Sequence, residues 1–188
     1  MSTSEASRTG SESTEGMISD LKGMIRDIAD FPKEGILFRD ITPMLADPRG
    51  LKMAVDLMSR PYCGEHIDVV IGAESRGFIF GTAIAHALGT GFVPVRKPGK
   101  LPGKIISQEY ELEYGKGSLE IHDDAVQSGQ RVLIVDDLIA TGGTLVACRD
   151  LIKSLGAEIV GISVLIELSD LDGASRLAPD SLFSVLKY

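Results

Sequence analysis

A chain of 188 residues, 44% of them hydrophobic, is long enough to bury one sizeable core without disulfide or metal staples. Its formal net charge of -8 argues against nucleic-acid binding through a general basic surface. Cys63 and Cys148 lie far apart without metal-ligand spacing and read as reduced, semi-buried thiols of a cytosolic protein.

Residues 1–16 are mostly Ser, Thr, Glu and Gly with almost nothing to bury, so a disordered tail is expected there. This opening is polar and acidic, unlike the basic-then-apolar pattern of a signal peptide, and a cytoplasmic location is expected. Residues 17–188 show no linker and no internal repeat and are expected to form one domain. Ile18, Leu21, Ile25 and Ile28 follow helical spacing. Phe31-Pro32-Lys33-Glu34-Gly35 stops that helix in a turn before Ile36-Leu37-Phe38. Asp47-Pro48 is a cap and first-turn pair, opening a helix with Leu51, Ala54, Val55 and Met58 on its apolar face.

Val69 to Ala73 predicts a buried strand, Gly77 to Leu88 a helix, and Phe92 to Val95 a second strand. The window from Gly77 to Val95 lacks Asp, Glu, Lys and Arg, yet four glycines, His86 and Pro94 divide it, so no membrane span is expected. Ile105 to Tyr114 and Ser118 to Ile121, joined at Gly115-Lys116-Gly117, predict a hairpin. A strand at Val132 to Val135, a helix from Gly143 to Leu155 capped by Gly156, and a strand from Ile159 to Leu165 follow. Alternating strands and helices imply an α/β fold with a mostly parallel central sheet and helical crossovers.

The most informative stretch runs from Val132 to Thr144. A β-branched apolar run ends in Asp136-Asp137, and after a short loop Thr141-Gly142-Gly143-Thr144 opens a helix. In that geometry the carboxyl end of a buried strand presents a ligand to a helix N-terminus. Small residues there leave backbone N–H groups free for a phosphate, which also meets the positive end of the helix dipole. Two acids just upstream stand at the height of a sugar's hydroxyls, so the loop reads as a ribose 5-phosphate site. A Walker A loop needs a lysine that is absent after Gly143, and the spaced glycines of a dinucleotide fingerprint are missing. The plainer alternative is an ordinary helix start capped by Asp137 or Thr141.

Ala73-Glu74-Ser75-Arg76-Gly77 is another strand-to-helix junction on the same sheet edge. Arg76 in that tight turn suits a second anion such as pyrophosphate, or it is a solvated arginine at a capped helix start. Arg96, Lys97, Lys100 and Lys104, interleaved with Pro and Gly, read as a mobile anion loop or a solubilising turn. Phe38, beside Arg39, either stacks on a flat base or belongs to the core. Glu109, Glu111 and Glu113 alternate with Tyr110, Leu112 and Tyr114, which puts the three acids on one strand face. If that hairpin folds over a ligand, one of them is a candidate general acid, and periodicity does not choose among them.

The loop from Asp136 to Thr144 resembles the phosphoribosyl pyrophosphate (PRPP) loop of type I phosphoribosyltransferases. Four further blocks stand in order: Asp30-Phe31-Pro32 through Gly35 to Pro43, Glu74 to Phe78, Arg96-Lys97 through Gly99 to Gly103, and Leu112-Glu113-Tyr114-Gly115. Together they resemble the adenine phosphoribosyltransferases over about residues 17–188. The resemblance implies a sheet flanked by helices, a small hood and a flexible hairpin, and transfer of the phosphoribosyl group from PRPP to adenine, giving AMP and pyrophosphate. It assigns the 5-phosphate to Ala140, Thr141, Gly142, Gly143 and Thr144, and the ribose hydroxyls to Asp136 and Asp137. Glu74, Ser75, Arg76, Lys97 and Lys100 would hold pyrophosphate, with a turn at Glu74-Ser75 that is often cis in the family. Leu37, Phe38 and Arg39 would hold adenine, and Glu113 would be the proton donor. Mg²⁺ would arrive with PRPP rather than on protein ligands, and a homodimer is implied. A phosphoribosyltransferase for another base is one alternative. A non-catalytic PRPP-binding regulator is another, but it needs a DNA-binding module that a 16-residue tail cannot make.

Overall fold

The structure is a computed structural model that describes the backbone of residues 5–111 and 116–188 and the side chains of 14–110 and 117–188. The chain, expected to form one domain over 17–188, gathers into two compact units, Met1–Asp56 and Leu57–Tyr188.

In the first unit, α1 (Glu5–Met24) begins well inside the segment expected to be a disordered tail. No proline interrupts residues 5–24, so nothing in the backbone stops the helix from running backward past Met17. Leu21 is buried on α1 as its helical spacing predicts, but Ile25, though buried, lies just past the helix end and Ile28 lies beyond it. It ends β1 (Arg26–Ile28), which pairs antiparallel with β2 (Phe38–Asp40) and sets Ile28 opposite Phe38. The reversal between them is built by Gly35 at φ +83, whose N–H donates to Asp30 Oδ1 at 2.8 Å. This cross-strand pairing overrides a helical period that Ile28 shares only by coincidence. A short α2 (Thr42–Ala46), with Pro43 in its first turn, follows. Asp47 Oδ1 accepts from the Arg49 and Gly50 amides and caps α3 (Pro48–Ser59), as Asp47-Pro48 predicts.

The second unit continues with β3 (Val69–Ala73), α4 (Gly77–Leu88), β4 (Gly91–Val95), β5 (Ile105–Glu111) and β6 (Lys116–His122). It ends with β7 (Arg131–Ile139), α5 (Gly143–Ser154), β8 (Glu158–Glu167) and β9 (Leu182–Lys187). Five strands make a parallel sheet in the order β4-β3-β7-β8-β9. The α/β class and parallel sheet expected from the alternation are therefore present. Every residue of β3 is buried, and Leu133, Ile134, Val164 and Leu165 are fully buried, because strands covered on both faces carry unbroken apolar runs. Strand β9 went unpredicted: Ser184 breaks its apolar run, and its partner β8 lies across a segment of short 3-10 turns.

The strand order places a topological switch point between β3 and β7. The chain leaves β3 toward β4 on one side and leaves β7 toward β8 and β9 on the other. Crossovers diverging from neighbouring strands open a crevice at their carboxyl ends, where ligands bind in sheets of this kind. Hairpin β5–β6 is antiparallel with Glu111 opposite Lys116, so Lys116 and Gly117, expected in the turn, are strand residues, while Gly115 lies outside the described residues. Gly117 sits within the strand instead, because Tyr110 opposite lays its ring over bare backbone, 2.6 Å from where a Cβ would stand.

Candidate active site

The crevice at the switch point is a cavity of about 470 Å³, within the size range of small-ligand sites. It is lined by Glu74, Ser75 and Arg76 after β3, by Lys97 after β4, by Asp136 and Asp137 on β7, and by Ala140 to Thr144 in the loop that follows. Residues from three separate stretches of sequence thus share one cleft. Lys100, expected beside them, is outside the lining set, although its charge reaches Glu74.

Strand β7 continues past Val135 through Ile139, so Asp136 and Asp137 are strand residues rather than the first loop residues. Both are buried, at 8% and 6% exposure. Asp136 Oδ1 accepts from the Asp137 amide at 2.9 Å, and Arg76 Nε stands 2.7 Å from Asp137 Oδ2. Burial pushes the pKa of both acids up, and the charge of Asp137 raises Asp136 further, while Arg76 restrains the rise at Asp137. Helix α4 reaches this pair only because Gly77 has no side chain, since a Cβ there would meet Asp136 Oδ1 and the Val135 carbonyl at 3.0 Å. Behind them the fully buried Cys148 thiol is pushed well above its ordinary value, by burial first and then by Asp136. Cys63 by contrast is exposed, so the expectation of two semi-buried thiols holds for neither.

The loop after β7 reaches α5 through Gly142, at φ +81 and ψ -5. No side chain caps this helix, so the alternative of an ordinary start capped by Asp137 or Thr141 is not what forms. Gly143 and Thr144, in the first turn, line the cavity, where their end of the helix favours an anion.

At the other junction the Glu74–Ser75 peptide is cis. Glu74 Oε2 accepts from the Lys97 amide and from Arg96 Nε, each at 2.9 Å, and these two donors hold its pKa below the usual carboxylate range. The acid therefore fastens the basic loop, and what the turn can offer an anion is backbone together with Arg76 and Lys97. Sequence reasoning read Arg96 as part of the basic anion loop but did not single out Glu120, and the structure shows both supporting that loop rather than lining the cavity. Arg96 lies 5.6 Å from the Phe78 ring centre and exchanges two backbone hydrogen bonds with Glu120, whose Oε2 also accepts from the Gly99 amide at 3.0 Å. The available signal was a lone acid between Leu119 and Ile121 in an otherwise apolar part of β6.

Leu37, Phe38 and Arg39 lie in the first unit, at and beside the start of β2. Leu37 is 45% exposed, Phe38 meets Phe31 edge-on at 5.1 Å between ring centres, and Arg39 pairs with Asp27. Asp40, next in line, is held at a pKa of about 2 by the Thr42 hydroxyl and amide and by Arg26, which anchors the end of the strand. Glu113 lies outside the described residues.

Among the described residues no group of three or more His, Cys, Asp or Glu is arranged to hold a metal ion. Asp136 and Asp137 supply hard oxygen donors, which suit Mg²⁺ sharing its coordination with phosphate oxygens and water. Among the described residues no helix is long and apolar enough to cross a membrane.

The phosphoribosyl transferase domain model matches residues 47–187. The chain is 60% identical over 153 residues to an adenine phosphoribosyltransferase of Ruegeria pomeroyi, covering 81% of this chain and 86% of the relative. It is 52% identical over 179 residues to one from Koribacter versatilis, covering 95% and 98%. Among solved structures it is similar to the adenine phosphoribosyltransferase of Thermoanaerobacter pseudethanolicus, with 50% identity, a TM-score of 0.88, and coverage of 91% and 99%. The Saccharomyces cerevisiae enzyme, crystallised with adenine and an imino-altritol bisphosphate, matches at 40% identity and a TM-score of 0.87, covering 92% and 99%. A phosphate-type loop, a buried acid pair and a basic turn at one switch point, with these likenesses, place the chain in the phosphoribosyl transferase family, among the adenine phosphoribosyltransferases.

Proposed function

We propose that this chain transfers the 5-phosphoribosyl group of PRPP to N9 of adenine, giving AMP and pyrophosphate in purine salvage. The observation that carries the reading is the shared cleft of the Ala140 to Thr144 loop, the Asp136–Asp137 pair and Arg76, in a chain 60% identical to an adenine phosphoribosyltransferase. Ala140 to Thr144 take the 5-phosphate through backbone N–H groups and the hydroxyls of Thr141 and Thr144. Asp136 and Asp137 accept from the ribose hydroxyls and favour the positive charge that develops on the sugar as the C–O bond to pyrophosphate breaks. Arg76, Lys97 and Lys100, with the Glu74-Ser75 turn, hold the departing pyrophosphate. Mg²⁺, carried in with PRPP, neutralises leaving-group charge when bound.

Adenine stacks on Phe38 while the backbone at Leu37 and Arg39 reads its amino edge, and Glu113 gives a proton to N7. These assignments rest on the resemblance of the segments 36–43 and 112–115 to the family. A hairpin closing over the sugar would keep water from competing with adenine. The enzyme works as a cytoplasmic homodimer on this reading.

The test is AMP formation from adenine, PRPP and Mg²⁺, with guanine, hypoxanthine, xanthine and orotate offered in competition. Adenine is the expected substrate. Activity confined to a 6-oxopurine overturns the assignment.

A further inference from the structure

The segment between β8 and β9 carries no motif, yet it lies directly behind the phosphate loop. Its two 3-10 turns, Ser169–Leu171 and Ser175–Leu177, flank Asp172 in the left-handed region at φ +50. Gly173 is buried against the loop: a Cβ there would stand 2.2 Å from the Ala140 carbonyl oxygen and 2.8 Å from the Gly142 nitrogen. The approach is reciprocal, since a Cβ on Gly142 would stand 2.7 Å from the Gly173 carbonyl oxygen. Three residues on, Arg176 donates from Nη1 to the Thr141 carbonyl at 2.7 Å. The Arg176 carbonyl in turn accepts from Nη1 of Arg149 at 3.0 Å, and Arg149 belongs to α5, the helix the loop opens. Loop, turn and helix are thereby tied in a ring.

The dihedrals of Gly142, φ +81 and ψ -5, are those of the third residue of a type II turn. Type I and type II turns differ mainly by reversal of the central peptide, here the one joining Thr141 to Gly142. Reversal would swing its carbonyl and N–H to opposite sides, and Arg176 holds that carbonyl. We propose that Arg176 and Gly173 are positioning residues for the phosphate loop. They fix the Thr141–Gly142 peptide in one orientation, so the donors at the start of α5 are set before a phosphomonoester arrives. This inference rests on the proposed function, because the anion is taken to be the 5-phosphate.

The Arg176 side chain is exposed, so water competes for its hydrogen bond and the effect is moderate. The experiment titrates AMP calorimetrically into the full chain and into Arg176→Ala, Arg176→Lys and Gly173→Ala, with KM for PRPP and for adenine and a melting temperature for each. Arg176→Ala is expected to weaken AMP binding and raise the PRPP KM by about three- to tenfold, leaving the adenine KM and the melting temperature unchanged. Arg176→Lys recovers part of the loss, and Gly173→Ala loses more, because its methyl displaces the loop backbone. Unchanged AMP affinity in Arg176→Ala and Gly173→Ala overturns the inference, as does a rise in both KM values in step with a lowered melting temperature. A wild-type chain that binds no AMP overturns the proposed function itself, whereas wild-type binding with unaltered variants overturns only the positioning role.

Discussion

Arg76 Nε stands 2.7 Å from Asp137 Oδ2, so one guanidinium touches the buried acid pair while belonging to the turn assigned to pyrophosphate. The contact links the two halves of the cleft. With the guanidinium in place the rise in the Asp137 pKa is restrained, which favours the carboxylate form that can act as an acceptor. Removing the arginine strips the pyrophosphate of a partner and leaves the buried acid without its counter-charge. Arg76→Ala is expected to raise the PRPP KM by roughly ten- to a hundredfold and to weaken product inhibition by pyrophosphate in step. Steady-state kinetics with pyrophosphate as inhibitor checks this. Unchanged inhibition would remove Arg76 from the anion site.

Asp136 trades stability for function. Burial raises its pKa, so the folded chain holds a proton there more tightly than the unfolded chain does. That contribution is fully present below the ordinary value of 3.8 and is lost as pH rises through the folded value, so burying the charge costs the fold stability as pH rises. Asp136→Asn keeps an acceptor for the Asp137 amide and removes the charge. It is expected to stabilise the chain by about 1 kcal/mol at pH 7, while lowering turnover because the developing sugar cation loses a carboxylate. Thermal melts at pH 5 and pH 8 provide the check: the gain over wild type should be larger at pH 8.

Glu74 acts in the opposite sense. Its pKa is lowered by the Lys97 amide and Arg96, so its anchoring of the basic loop is present above the ordinary value of 4.5 and is lost as pH falls through the lowered folded value. Glu74→Gln keeps the shape and removes the charge. A rise of about three- to tenfold in the PRPP KM is expected, with the adenine KM unmoved. Equal changes in both constants would show that the loop has no separate part in holding PRPP.

Glu113→Gln tests the proton donor. A general acid contributes in the transition state, so turnover should fall by about 10²- to 10⁴-fold with little change in PRPP affinity. Parallel Glu109→Gln and Glu111→Gln variants should retain activity. If Glu113→Gln turns over normally, the hairpin donor is another of the three acids or there is none.

What could be read along the chain was what local physics sets. Val69 to Ala73 is an apolar run of strand length, Gly77 to Leu88 has a helical pattern closed by Gly89 in the left-handed region, and Asp47 caps because its side chain reaches amides two and three residues on. The strand-to-helix loop proposed for the phosphate was legible as a loop for the same reason: small residues announce a run of consecutive backbone groups at a helix start. Ile28, β9, the Glu74 grip on Arg96, the Glu120 anchor and Arg176 behind Thr141 were decided only by the tertiary structure. Each depends on a partner 10 to 35 residues away, in pairs such as Ile28 with Phe38, Glu74 with Arg96 and Thr141 with Arg176. A carboxylate or guanidinium carries no local sign of which distant group it will meet. Folding decides it, by bringing groups far apart in sequence, such as the ends of neighbouring strands at the switch point, within hydrogen-bonding distance.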